Sequence, residues 1–255
     1  MRYLNSADIR LQQEKVAEQS RESFKAGYNK FNAAIDALLI IQYSFSLPKS
    51  SPSTPLQRVH NLATKWLYLS IFGFQASLSL AEQGFYMQSI GVNRNLMESL
   101  VSAYYLIDKP EDIDRIPMVS NKVKRALTMR ERFDHVIPGY YDLHYKFSSE
   151  FAHPSHGSHV TKMQPDGQGG YNVDLGASFD LDWMSLCLNE IFMLLGGFLK
   201  AYSVKYKAVL HYRDSADIDQ IGDAIKGILE ILYGHIALKG LENSWHTTTR
   251  PLWDW

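Results

Sequence analysis

The sequence predicts an all-α protein, a helical bundle of six to seven helices with one small β-hairpin insertion. Apolar residues recur at spacings of four and three over long segments, as in Phe24, Tyr28, Phe31, Ile35 and Leu38. Proline and glycine fall between those segments, where they end helices. Strand-like runs occur in one place, Val160 to Met163 and Tyr171 to Leu175, on either side of the turn Pro165-Asp-Gly-Gln-Gly-Gly170.

The first helix is expected from Ala7 to about Phe45, with a Glu-, Gln-, Lys- and Arg-rich early part that projects from the body as a solvated helix. Pro48, Pro52 and Pro55 remove backbone donors and make the next stretch a loop. A second helix is expected from Leu56 to Gln83, where Gly84 suits a left-handed stop, and a third from Tyr86 to Ile107, ending before Pro110. Short helices come next, through Pro138, and helical spacing returns through Tyr140, His144, Phe147 and Phe151. Asp180 is the expected N-cap of a helix reaching about His211, and a last helix spans Ser215 to about Leu241. The chain thus divides into an N-terminal amphipathic helix and proline-rich loop (1–55), a helical core (56–241) and a tail (242–255). That tail holds three of the five tryptophans, so it is expected to dock on the core.

Composition narrows the function classes. A net charge of -1 gives no global attraction to nucleic acid or an anionic membrane, so any such binding must come from a local patch. The single cysteine, Cys187, excludes an intrachain disulfide framework and fits a reducing compartment. Met1 to Lys15 lacks the apolar run of a signal peptide, and the apolar stretch Trp183 to Tyr202 is interrupted by Asn189, Glu190 and Lys200. A soluble cytoplasmic protein, without membrane contact, is expected.

Chemistry concentrates in three places. Arg94 and Glu98 lie one turn apart on a helix that is apolar nearly all round, so both are expected to be buried, either as an ion pair pinning helices or as part of an anion site. Ser149 and His153 sit four apart where Pro154 stops a helix. There the histidine is a cap and packing residue, or a proton donor or anion contact in a cleft. No third group completes a Ser-His nucleophile. His153, His156 and His159 match no strong zinc spacing, so no metal or other cofactor is expected and a metal-dependent hydrolase is the weakest option. The third place is the run Lys122, Lys124, Arg125, Arg130 and Arg132, which is a solvated helix face or a phosphate contact. It ends in Arg130-x4-His135.

Arg94-Asn-Leu-Met-Glu98 followed by Ser148-Ser-Glu-Phe-Ala-His-Pro-Ser155 resembles a bacterial family of helical proteins known as a domain of unknown function. That family is itself related to HEPN proteins (higher eukaryotes and prokaryotes nucleotide-binding). The likeness covers roughly Leu62 to Tyr202 and implies a HEPN-like core, with Arg94, Glu98, Ser149 and His153 as the site. HEPN ribonucleases are usually homodimers that cut RNA without metal through an R-x4-6-H motif at the dimer cleft, often as toxins or in phage defence. The resemblance therefore implies a metal-independent endoribonuclease or RNA-binding protein, with RNA or nucleotide as ligand. His153 has no arginine four to six residues before it, so Arg94 is its expected partner and Arg130 with His135 the reserve pair. A non-catalytic helical dimer that binds a nucleotide or a partner protein is the alternative.

Overall fold

The computed structural model describes residues 6–44, 51–116, 125–146, 163–165, 171–173 and 178–205, together with Gly227. These residues form an all-α bundle. Helix α1 spans Ser6–Ser23 and α2 spans Lys25–Ser44, where one helix is expected. The interruption is slight, because Phe24 N–H still donates to the Ser20 carbonyl (3.0 Å) and Tyr28 N–H to that of Phe24 (3.2 Å).

Helix α1 does not project freely. Val16, Ala17 and Ser20 are buried, the Ser20 hydroxyl donates to the Glu82 carbonyl (3.1 Å), and Arg21 pairs with the Glu82 carboxylate (3.1 Å). A short stripe of small side chains lets the second half of this charged helix lie against the end of the next element. Helix α2 buries Phe31, Ala34, Ile35, Leu38 and Ile41 in the core shared with the following helices.

Helix α3 (Pro55–Glu82) begins with proline at its first position and the Thr54 hydroxyl accepting from Gln57 N–H (3.2 Å). It ends at Gly84, whose φ of +80° is left-handed. Helix α4 (Tyr86–Asp108) begins at once and is buried along most of its length, packing on α3. After a 3₁₀ turn at Pro110–Arg115 comes α5 (Met129–Val136), opened by a capping box between Thr128 and Glu131. Gly139, at φ +84°, turns the chain into a π-helical segment, Tyr141–Tyr145.

Met163–Pro165 (β1) pairs antiparallel with Tyr171–Val173 (β2). Helix α6 (Leu181–Lys200) is capped by the Asp180 carboxylate, which accepts from Asp182 and Trp183 N–H groups (2.9 and 3.0 Å), and runs into a π turn at Ala201–Lys205. The stretch Leu181–Ser203 is long and apolar enough to cross a membrane, but 72% of its most apolar window is buried inside the fold, as in a core helix. The rest of the expected continuation, residues 206–211, the final helix and the Trp-rich tail lie outside the described residues, Gly227 excepted.

Helices α3, α4 and α6 form the centre. The Phe74 and Phe198 rings meet edge-on at 5.4 Å, and the buried Tyr202 hydroxyl donates to the Ala63 carbonyl (3.0 Å). Gly84 is the residue on which the reversal between α3 and α4 turns. A Cβ there would adopt an unfavourable φ and lie 2.6 Å from the Ser178 carbonyl oxygen. We expect Gly84→Ala to lower stability by more than about 1 kcal/mol, read as a lower urea midpoint at unchanged m-value.

Candidate functional site

Arg94 lies on the side of α4 that faces the Tyr141–Tyr145 segment. Its Nε is 3.1 Å from Glu98 Oε1, and its Nη2 donates to the Tyr145 hydroxyl (2.8 Å), which itself donates to Glu98 Oε1 (2.7 Å). The guanidinium carbon also sits 4.9 Å from the centre of the Tyr145 ring. Cation, carboxylate and phenol thus close a triangle in which each touches the other two.

Contrary to expectation, the pair is not fully buried: the Arg94 side chain is 19% exposed and that of Glu98 30%. Leu96, Met97 and Leu100 take the core face, which leaves Arg94 and Glu98 at its rim. Burial is the largest single influence on Arg94 and pulls its pKa down, but Tyr145 and Glu98 together outweigh it and leave the pKa raised. Burial, then the bond to Glu98, pushes the Tyr145 phenol up. The triangle thus joins one guanidinium to one carboxylate directly and through a shared hydroxyl.

One residue earlier on α4, Asn93 points the other way and is fully buried. The Ser77 hydroxyl donates to Asn93 Oδ1 (2.6 Å) and sits 2.8 Å from that of Ser89, while Asn93 Nδ2 donates to Glu190 Oε2 (3.1 Å). Assigning the Ser89 hydroxyl as donor to Ser77 gives a single directed chain, Ser89 to Ser77 to Asn93 to Glu190, ending on a carboxylate 8% exposed. Cys187 lies beside it with its thiol raised in pKa by burial, an inert form of the group. The sequence shows Glu190 only as an interruption of an apolar helix and does not join it to Asn93. Sequence reasoning missed Tyr145 altogether. Polar residues on two apolar faces were the available signal.

The basic run divides. Arg125 pairs with Glu131 (3.1 Å). Arg130 grips Asp142 with two bonds (3.0 and 2.9 Å) and lies 4.5 Å over the Tyr141 ring. Arg132 does not lie on a solvated face: it is 9% exposed, and its guanidinium donates to the Ser102 hydroxyl and the Thr128 carbonyl (3.4 Å). Two residues along a helix turn a side chain by about 200°, so Arg132 faces α4 while Arg130 faces outward. Burial lowers the Arg132 pKa.

The reserve pair does not converge. His135 has its Nε2 3.5 Å from Asp108 Oδ2 and its ring edge-on to Tyr105, whereas Arg130 is turned to Asp142. Five helical positions separate their directions by about 140°. Lys122, Lys124, Ser149, His153, His156 and His159 lie outside the described residues. Among the described residues no group of three or more His, Cys, Asp or Glu side chains could hold a metal ion.

Two measurements test this geometry. Asn93→Ala would remove a donor from the buried Glu190 carboxylate and an acceptor from Ser77, and is expected to cost about 2–3 kcal/mol in urea unfolding. Hydrogen bonds from Arg130 and Lys146 depress Asp142 from its ordinary 3.8 to about 2. A depressed native carboxylate stabilises the fold above its unfolded pKa, and that contribution disappears as pH falls through about 2. Carboxyl NMR titration should place the Asp142 midpoint near 2 in the native chain, and Arg130→Ala should raise it toward the ordinary carboxylate value.

Compared with known proteins, the chain matches no family model, no curated protein and no solved structure.

Proposed function

We propose that this chain is a HEPN-like protein that acts on RNA, as a metal-independent endoribonuclease or an RNA-binding protein of a toxin or phage-defence system. The observation that carries the reading is Arg94, a half-buried guanidinium held in orientation by Glu98 and Tyr145. A cation fixed in a partly dry site stabilises developing phosphate charge better than a mobile surface lysine, because no reorganisation is needed at the moment of reaction.

Tyr145 is also four residues before Ser149 and eight before His153 in the sequence, so the segment that orients Arg94 is covalently close to the proposed acid–base histidine. In the proposed reaction His153 assists proton transfer involving an RNA 2′-hydroxyl, while Arg94 offsets the charge that builds on the adjacent phosphorus. Glu98 holds Arg94 in place, and the chain acts as a homodimer.

A second reading, a non-catalytic helical module that binds a nucleotide or a partner protein, draws on a different observation. Arg125 and Arg130, the exposed arginines of the basic run, are each matched by a carboxylate. Purified protein incubated with mixed RNAs in EDTA separates the two. Under the catalytic reading the native chain cleaves RNA, and His153→Ala and Arg94→Ala each lose at least about 100-fold in rate with helical circular dichroism retained. Undiminished cleavage by His153→Ala removes that residue from the mechanism, and intact RNA with the native chain favours the non-catalytic module.

A further inference from the structure

The π-helical segment carries a stack that the Arg94 triangle does not use in full. Tyr141 and Tyr145 are stacked at 4.9 Å with their planes 26° apart, Arg94 lies over the ring of Tyr145, and Arg130 lies 4.5 Å over that of Tyr141. A guanidinium therefore attends each tyrosine of the pair. The two ends differ in their surroundings: Arg94 is 19% exposed, whereas the Arg130 side chain is 48% exposed. Two bonds to Asp142 fix the position of Arg130, so its planar group is held rather than swept through solvent.

We propose that Arg130, seated on Tyr141 and braced by Asp142, is a stacking platform for an unpaired nucleobase. A guanidinium is planar, delocalised and weakly hydrated, and stacks on flat π-systems as readily as it pairs with anions. Here its charge is already answered by Asp142, which leaves the flat face as its recognition element. Lys146, 2.6 Å from Asp142, brings a second cation to the same carboxylate, and Asp134, one turn along α5, also acts on Arg130, so the four charges balance. Affinity at such a cluster comes from stacking on the flat face rather than from attraction to phosphate. A base inside a duplex has both faces covered, so the platform selects single strands.

The inference rests on the reading that the chain acts on RNA, and its test is chosen to fail separately. Binding of the full chain to a labelled single-stranded oligoribonucleotide is measured by anisotropy in EDTA, beside an abasic oligomer of the same length. The single strand should bind at least tenfold tighter than the abasic oligomer, with a salt slope shallower than the roughly -0.7 of one phosphate contact. Arg130→Lys keeps the charge and removes the plane, and should weaken single-strand binding roughly 5- to 100-fold while leaving the abasic oligomer unaffected. Tyr141→Leu should do the same, and if it unfolds, the exposed Arg130→Lys substitution still decides.

Equal binding by Arg130→Lys and the native chain, equal affinity for both oligomers, or no binding at all overturns the platform. RNA bound through Arg130 but never cut leaves the platform standing and sinks the nuclease. RNA cut with unaltered binding by Arg130→Lys does the reverse.

Discussion

The arrangement depends on the rotation of one helix about its own axis, and Asn93 fixes that rotation. Its amide sits between the Ser77 hydroxyl of α3 and the Glu190 carboxylate of α6, accepting from one and donating to the other. Turned away from that position, α4 would leave a buried carboxylate and a buried hydroxyl short of partners, a cost comparable to a large share of a domain's stability. Apolar contacts alone tolerate sliding and repacking far better than a directed hydrogen-bond chain. With Asn93 inward, the next residue must leave the helix about 100° further round. That direction takes Arg94 to Tyr145.

Packing agrees with the polar chain. Leu96 lies against Gly73 of α3, and Leu100 against Gly197 of α6, each so close that a Cβ on the glycine would fall 2.8 or 2.7 Å from a leucine methyl. The same turns of α4 that carry Asn93 and Arg94 are thus seated in two neighbours. The core face and the polar rim of α4 are set by one orientation.

Local patterns made some of this legible. Pro55 and Gly84 bracket α3 because each has a backbone preference that acts within a residue or two, and Asp180 caps α6 for the same reason. Arg94 and Glu98 meet because one helical turn brings them together. The pairings that were missed span long stretches of sequence. Asn93 and Glu190 are 97 residues apart, and neither carries a mark that names the other. Tyr145 was hidden by its type, since an aromatic at helical spacing reads as core, and its ring is indeed mostly buried. Arg132 was hidden by its company: among so many cations its inward direction shows only once the phase of α5 is known. Helix α1 misled through composition, because charge density on one face says little about the small residues on the other.

The wide turn at Tyr141–Tyr145 has a consequence of its own. A π segment holds one more residue per turn than its surroundings call for, and such bulges persist where the surplus serves a purpose. Excising a position between Tyr141 and Tyr145 would let the backbone relax to ordinary α geometry and leave the two tyrosines three residues apart, about 300° round the helix, which takes their rings out of the phase that stacks them. Lineages carrying this protein should therefore accept exchanges of side chain here far more readily than a change in length.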